Sequence, residues 1–111
     1  MNKRLNCYLL LLDVAKAMPG LLSMIPKGEG YLSNQIKRAI SSAILNLAEG
    51  NGRYHPNDRN RFFDISLGSI SEVISGLDYA LSVKFIEESE SKSILADLNK
   101  AYYMIRKLKR S

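Results

Sequence analysis

The segment at residues 50–61, GNGRYHPNDRNR, sets Arg53, Arg59 and Arg61 around Tyr54 and His55. The last twelve residues carry Lys100, Arg106, Lys107, Lys109 and Arg110 with no acid among them. Guanidinium and ammonium groups bind phosphate oxygens, and aromatic rings between them stack on unpaired bases. The net charge of +5 is unevenly spread. Residues 1–61 hold nine Lys/Arg against four Asp/Glu, residues 62–99 two against seven, and residues 100–111 five against none. Two readings are open. One is a phosphate-binding patch. The other is a plain bundle whose basic tail complements a helix dipole, and +5 is modest for a nucleic-acid binder.

Catalytic chemistry has little material. One Cys and one His exclude an internal disulfide, a CxxC pair and a zinc knuckle, and leave almost nothing for a His-based triad. There is no GxxxxGK[ST] loop, GxGxxG turn, HExxH pair or GxSxG elbow. Di-iron bundles need Glu-x-x-His pairs, and His55 has no such partner. Glu49 and Glu72 read as buried carboxylates that pair with Arg38 or Arg53 rather than as general bases. Asn46 reads as a residue satisfying a buried hydrogen bond or fixing register. Cys7 reads as a core thiol, His55 as a solvent-facing loop residue, and Met18, Met24 and Met104 as core filler. The expectation is a non-enzymatic protein with no cofactor and no metal.

These residues need a frame, and 111 residues with 46% hydrophobic and 24% charged content make one domain, residues 1–111. Helical periodicity dominates. Phe63, Leu67, Ile70, Ile74, Leu77 and Leu81 form one apolar stripe on a helix of about 25 residues. Beside it run Phe62, Ser66, Ser69, Val73, Gly76 and Ala80, mostly small, where a neighbouring helix can come close. Asn57 or Asp58 is the expected cap of this helix. Gly68 and Gly76 each cost about 1 kcal/mol relative to Ala, which calls for a packing reason.

The preceding helix is expected to start near Ser33 or Asn34 and to end at Gly50 as a left-handed terminator. Its apolar residues cover well over half its circumference, which predicts cover on several sides, in mid-bundle or against another subunit. The last helix carries Ile94, Leu98, Ala101, Ile105 and Leu108. The first starts near Lys3, and Pro19–Gly20 either ends or kinks it. Short connections argue for antiparallel neighbours. The expected fold is all-α, an antiparallel up-down four-helix bundle. In it the last helix returns to the end where the 50–61 segment lies, bringing Arg53, Arg59 and Arg61 near Arg106, Lys107, Lys109 and Arg110.

The N-terminus imitates a secretory signal, with Lys3 and Arg4 before apolar residues 5–12 and an A-x-A triplet at 15–17. Asn6 interrupts the run and Asp13 ends it. No stretch reaches the roughly 18 to 20 apolar residues of a membrane span, so the expected location is cytoplasmic, off the membrane.

Residues 35–53, QIKRAISSAILNLAEGNGR, resemble the four-helix-bundle protein family encoded in intervening sequences of bacterial 23S rRNA genes, with its Q-[IL]-R-R-A start, N-[IL]-A-E-G centre and following Arg. Residues 61–72, RFFDISLGSISE, resemble the family's second block, and IPKGEGYLSNQ its lead-in. Coverage runs from about Pro26 to the C-terminus. Lys37 stands where Arg is usual, Gly28 and Gly30 replace more polar residues, and Pro19 lies outside the pattern. The family pattern falls on Gln35, Lys37, Arg38, Asn46, Glu49, Gly50, Arg53, Phe62, Gly68, Ser69 and Glu72. The resemblance implies a ring-like homopentamer. It also implies a relation to accessory proteins of diversity-generating retroelements, which bind nucleic acid and a reverse transcriptase. With the basic clusters, it gives Lys37, Arg38, Arg53, Arg59, Arg61, Arg106, Lys107, Lys109 and Arg110 as the expected set binding RNA or DNA. Arg38, Asn46, Glu49 and Glu72 are the expected inter-helix or inter-subunit polar network. The alternative role is a scaffold for a protein partner such as a reverse transcriptase.

Overall fold

The computed structural model describes residues 2–109, which form four helices. They are α1 (Lys3–Leu22), α2 (Gly30–Asn51), α3 (Pro56–Ser82) and α4 (Glu88–Lys109), with one 3₁₀ turn at Lys27–Glu29. Each helix buries residues alternately three and four apart: Cys7, Leu11, Val14, Met18 and Leu21 on α1, and Ser91, Ile94, Leu98, Ala101, Ile105 and Leu108 on α4. This heptad-like spacing keeps one seam facing inward when helices pack at a shallow angle. Contacts run α1–α2, α2–α3, α3–α4 and α4–α1, with no diagonal pair touching among the described residues. The result is the expected antiparallel up-down four-helix bundle, drawn out along the 27-residue α3 to a longest dimension of 44 Å.

The seam of α3 differs from the expected stripe. Phe63, Ser66, Ile70, Val73, Leu77 and Ala80 are all fully buried, while Ile74 and Leu81 are only half-buried. The inward face is therefore turned toward the row of small residues, because there α2 comes close. The Ser66 hydroxyl donates to the Ala43 carbonyl at 2.7 Å, and the Ser69 hydroxyl to the Ser42 hydroxyl at 2.8 Å. A Cβ on Gly76 would lie 2.7 Å from Ile36 Cγ1, so that glycine does have a packing reason. The side face of Gly68 is open, with nothing within 4 Å of a Cβ, so packing inside the chain does not explain it.

Several expected boundaries are corrected. Helix α2 starts at Gly30, before Ser33 and Asn34, and runs through Gly50 to Asn51. Gly50 has no positive φ; a Cβ there would sit 2.6 Å from Phe63 Cε1, so it is a close-packing glycine. Helix α3 starts with Pro56 at its first turn and His55 as an N-cap that makes no side-chain cap bond, so neither Asn57 nor Asp58 is the cap. Helix α1 does not end at Pro19 but continues to Leu22. Proline so close to the C-terminus removes only one backbone donor. Read through Pro19, α1 becomes long and apolar enough by length and composition to cross a membrane, contrary to the sequence-based expectation. Its inner face is packed in the bundle. Met18 is core and Met104 packs half-buried against it, whereas Met24 is 42% exposed.

Candidate nucleic-acid interface

Antiparallel order places the C-termini of α2 and α4 and the N-termini of α1 and α3 at one end of the bundle. Lys109 on α4 forms an ion pair with Asp64 on α3. Arg4 on α1 donates to the Asn51 carbonyl on α2 at 3.5 Å. Arg53, Arg59, Arg61, Arg106, Lys107 and Lys109 thus share this end, as expected from sequence; Arg110 lies outside the described residues. The sequence reading left out Lys3 and Arg4, although an up-down bundle must bring the start of α1 to the same end. Among the described residues, the acids on these terminal turns are Glu49, Asp58 and Asp64.

The four-residue turn between α2 and α3 (residues 52–55) holds the most organised part. Arg53 meets Glu49 at 2.9 Å and Asp58 at 3.4 Å, and Arg61 meets the other Asp58 oxygen at 3.1 Å. The same two guanidiniums lie over the Phe62 ring, 4.7 and 4.4 Å from its centroid. Arg59 Nη1 donates to the Tyr54 carbonyl at 2.7 Å and ties the turn to α3. Tyr54 is 87% exposed and edge-on to His55, with ring centroids 5.2 Å apart, so its face is open to a ligand. Sequence reasoning missed Asp58 and Phe62 as members of this cluster. The i, i+3 spacing of Asp58 and Arg61 was the available signal.

Lys37 and Arg38 lie elsewhere. Both are exposed in the first half of α2, about 20 Å along the helix from the turn at 1.5 Å per residue. The expected polar network does not form as one unit within the chain. Glu49 and Glu72 are exposed, not buried. Glu49 belongs to the turn through Arg53, whereas Arg38 and Glu72 line a groove between α2 and α3 with Gln35, Ala39, Ser42 and Ser69. Half-buried Asn46 donates to the Ser42 carbonyl at 2.9 Å and hydroxyl at 3.2 Å, so it joins the groove through Ser42.

The Cys7 thiol is buried against the Ala101 carbonyl at 3.7 Å, and burial pushes its pKa up to about 12. That keeps it a thiol at neutral pH and leaves it inert. Among the described residues, no group of three or more His, Cys, Asp or Glu side chains is placed to hold a metal.

The model of the 23S rRNA-intervening sequence protein family matches residues 3–107. The chain belongs to this family. A crystal structure of a protein of unknown function from the S23 ribosomal protein family of Bacteroides thetaiotaomicron has the same fold. It is 18% identical, with a TM-score of 0.88, over 99% of this chain and 100% of that one. Comparison with curated proteins gives no match. For the 23S rRNA-intervening sequence protein pattern, the structure separates three kinds of residue. Gly50 and Ser69 close the α2–α3 contact. Glu49, Arg53 and Phe62 build the turn cluster. Gln35 donates to the Tyr31 hydroxyl at 3.2 Å and Asn46 to Ser42, while Lys37, Arg38, Gly68 and Glu72 have no comparable role among the described residues.

Helix α2 also carries an exposed apolar face. Among the described residues, helix α2 packs on α3, α1 and the 3₁₀ turn, and its outward side leaves Leu45 68% exposed. Ala48 beside it is also exposed, and across α3 Ile65 is 42% exposed.

Proposed function

We propose that this 23S rRNA-intervening sequence protein is a non-enzymatic, cytoplasmic, homo-oligomeric bundle that binds nucleic acid through phosphate contacts at its basic end. The observation that carries the reading is the convergence of four helix termini, which gathers Lys3, Arg4, Arg53, Arg59, Arg61, Arg106, Lys107 and Lys109 around three acids and an exposed Tyr54. Such an end attracts phosphates with little sequence preference, and the tyrosine offers a stacking surface to an unpaired base.

Self-association is supported by the exposed apolar Leu45 and Ala48 on α2, and by the α2–α3 groove that Arg38 and Glu72 line. A ring needs two different complementary patches on each subunit. The exposed apolar face of α2 supplies one such patch, and a pentamer is the order proposed. The packed inner face of α1 supports a structural role for that helix in the bundle.

Fluorescence anisotropy with a labelled single-stranded RNA, measured across a salt series, tests the reading. The logarithm of affinity should fall linearly with that of salt, by about 0.7 per phosphate neutralised on a single strand. Replacing Arg53 and Arg59 together by Ala should weaken binding and flatten the slope. An unchanged slope would remove the turn from the interface. Binding that appears only with a protein partner present would favour the scaffold role.

A further inference from the structure

Asp58 holds an unusual place. Its two carboxylate oxygens are divided between two guanidiniums, Oδ2 toward Arg53 at 3.4 Å and Oδ1 toward Arg61 at 3.1 Å. Both guanidiniums also lie over one ring, Phe62, so the carboxylate and the ring are shared by the same two cations. Two cations held this close would repel each other, and an anion between them is what makes the arrangement stable. The anion is the chain's own, and the site is open to water. The Arg61, Arg53 and Asp58 side chains are 62%, 41% and 33% exposed.

We propose that Arg53, Phe62 and Arg61 form a preorganised receptor for one phosphodiester group, and that Asp58 is its internal occupant until nucleic acid displaces it. The two non-bridging oxygens of a phosphodiester offer the same pair of acceptors as the carboxylate, one for each guanidinium. Displacement frees Arg53 Nη1 and Arg61 Nη2, while Arg53 Nη2 stays on Glu49 at 2.9 Å and keeps that guanidinium in place. Exposed ion pairs contribute little stability, so the occupant leaves at small cost. The Phe62 ring still holds both guanidiniums by cation–π attraction after it has gone. Asp58 thereby lowers affinity for every phosphate without abolishing it, and it discriminates against weak, isolated anions.

This inference rests on the nucleic-acid reading above, and one cycle of variants separates the two. The probe is a fluorescein-labelled single-stranded RNA of mixed sequence, with thermal unfolding run in parallel on each variant. Asp58→Asn keeps the shape of the side chain and removes its charge. It should tighten RNA binding about three- to tenfold at low salt, and that gain should vanish when Arg53 and Arg61 are both changed to Gln. If the wild type binds and Asp58→Asn leaves affinity unchanged, the receptor is overturned. An equal gain in the Arg53→Gln/Arg61→Gln background also overturns it, because the effect is then general charge. If neither wild type nor Asp58→Asn binds RNA at any salt, the nucleic-acid reading itself falls, and the receptor with it. Asp58→Ser, with the same pattern expected, covers the case in which Asn disturbs the first turn of α3.

Discussion

Lys109, in the last turn of α4, is ion-paired with Asp64, two turns into α3, across 45 residues of sequence. The contact fixes which end of the bundle receives the C-terminal basic run. That run and the Arg-rich turn, separated in sequence by an acidic stretch, become neighbours in space. The pair is exposed enough that its own contribution to stability is small, about 0 to 1 kcal/mol. Its value is as a marker of topology.

Tyr54 is the most exposed tyrosine or phenylalanine at this end, 87% exposed, and the ring paired with it is that of His55. Tyr54→Ala should leave the unfolding midpoint nearly unchanged. It should weaken binding of single-stranded RNA by about 1 to 3 kcal/mol, the usual worth of one base stack. Equal binding by the variant would show that the ring is not used.

Three helical glycines give opposite expectations. Gly50→Ala drives a methyl to 2.6 Å from the Phe63 ring, and Gly76→Ala drives one to 2.7 Å from Ile36. Overpacking costs about 1–3 kcal/mol, against about 1 kcal/mol gained in helix propensity. Both variants should be neutral to destabilised in urea titrations. Gly68→Ala meets nothing and should gain up to about 1 kcal/mol in the isolated chain. Loss of assembly in Gly68→Ala, with its fold intact, would place that glycine at a subunit interface.

Leu45 is 68% exposed on the outer face of α2. Leu45→Glu should therefore fold with unchanged helicity while reducing the mass measured by light scattering to that of one 12.5 kDa chain. A wild-type protein that already runs as a monomer would end the oligomer proposal.

Cys7 sets a pH expectation. Its ordinary thiol pKa of 9.0 is raised to about 12 by burial. Both folded and unfolded forms hold the proton below pH 9, so the contribution to stability is complete there. Between about pH 9 and 12 only the unfolded chain loses it, and stability falls with rising pH. Iodoacetamide at about pH 8, below the ordinary thiol pKa, should leave the native thiol unmodified and label it in urea. Rapid native labelling would contradict the packing.

Much of this was legible in the residue pattern. Phe63, Ile70 and Leu77 phase α3 correctly, and the up-down order followed from short connections. The face between them was harder to read. Ser66, Val73 and Ala80 carry less hydrophobic signal than Leu67, Ile74 and Leu81, yet they are the deeper residues, because close helix approach rewards small volume. Boundaries failed where a rule for isolated helices met a tertiary contact: Gly50 looks like a terminator and is a seat for Phe63. Glu49 and Glu72 were expected to be buried with an Arg partner, but α2 and α3 each keep an outer face and both carboxylates lie on it. The Asp58–Phe62 relationship depends on how a four-residue turn aims Arg53, which no spacing in the sequence specifies.

The claim that the basic end binds phosphates is tested most directly by the salt dependence of RNA affinity for the wild type and for a variant with Arg106 and Lys107 changed to Ala. The expected result is measurable wild-type binding with a slope steeper than that of the variant by about 0.7 for each phosphate the variant no longer engages. Absent binding at low salt, or identical slopes for the two proteins, would contradict it.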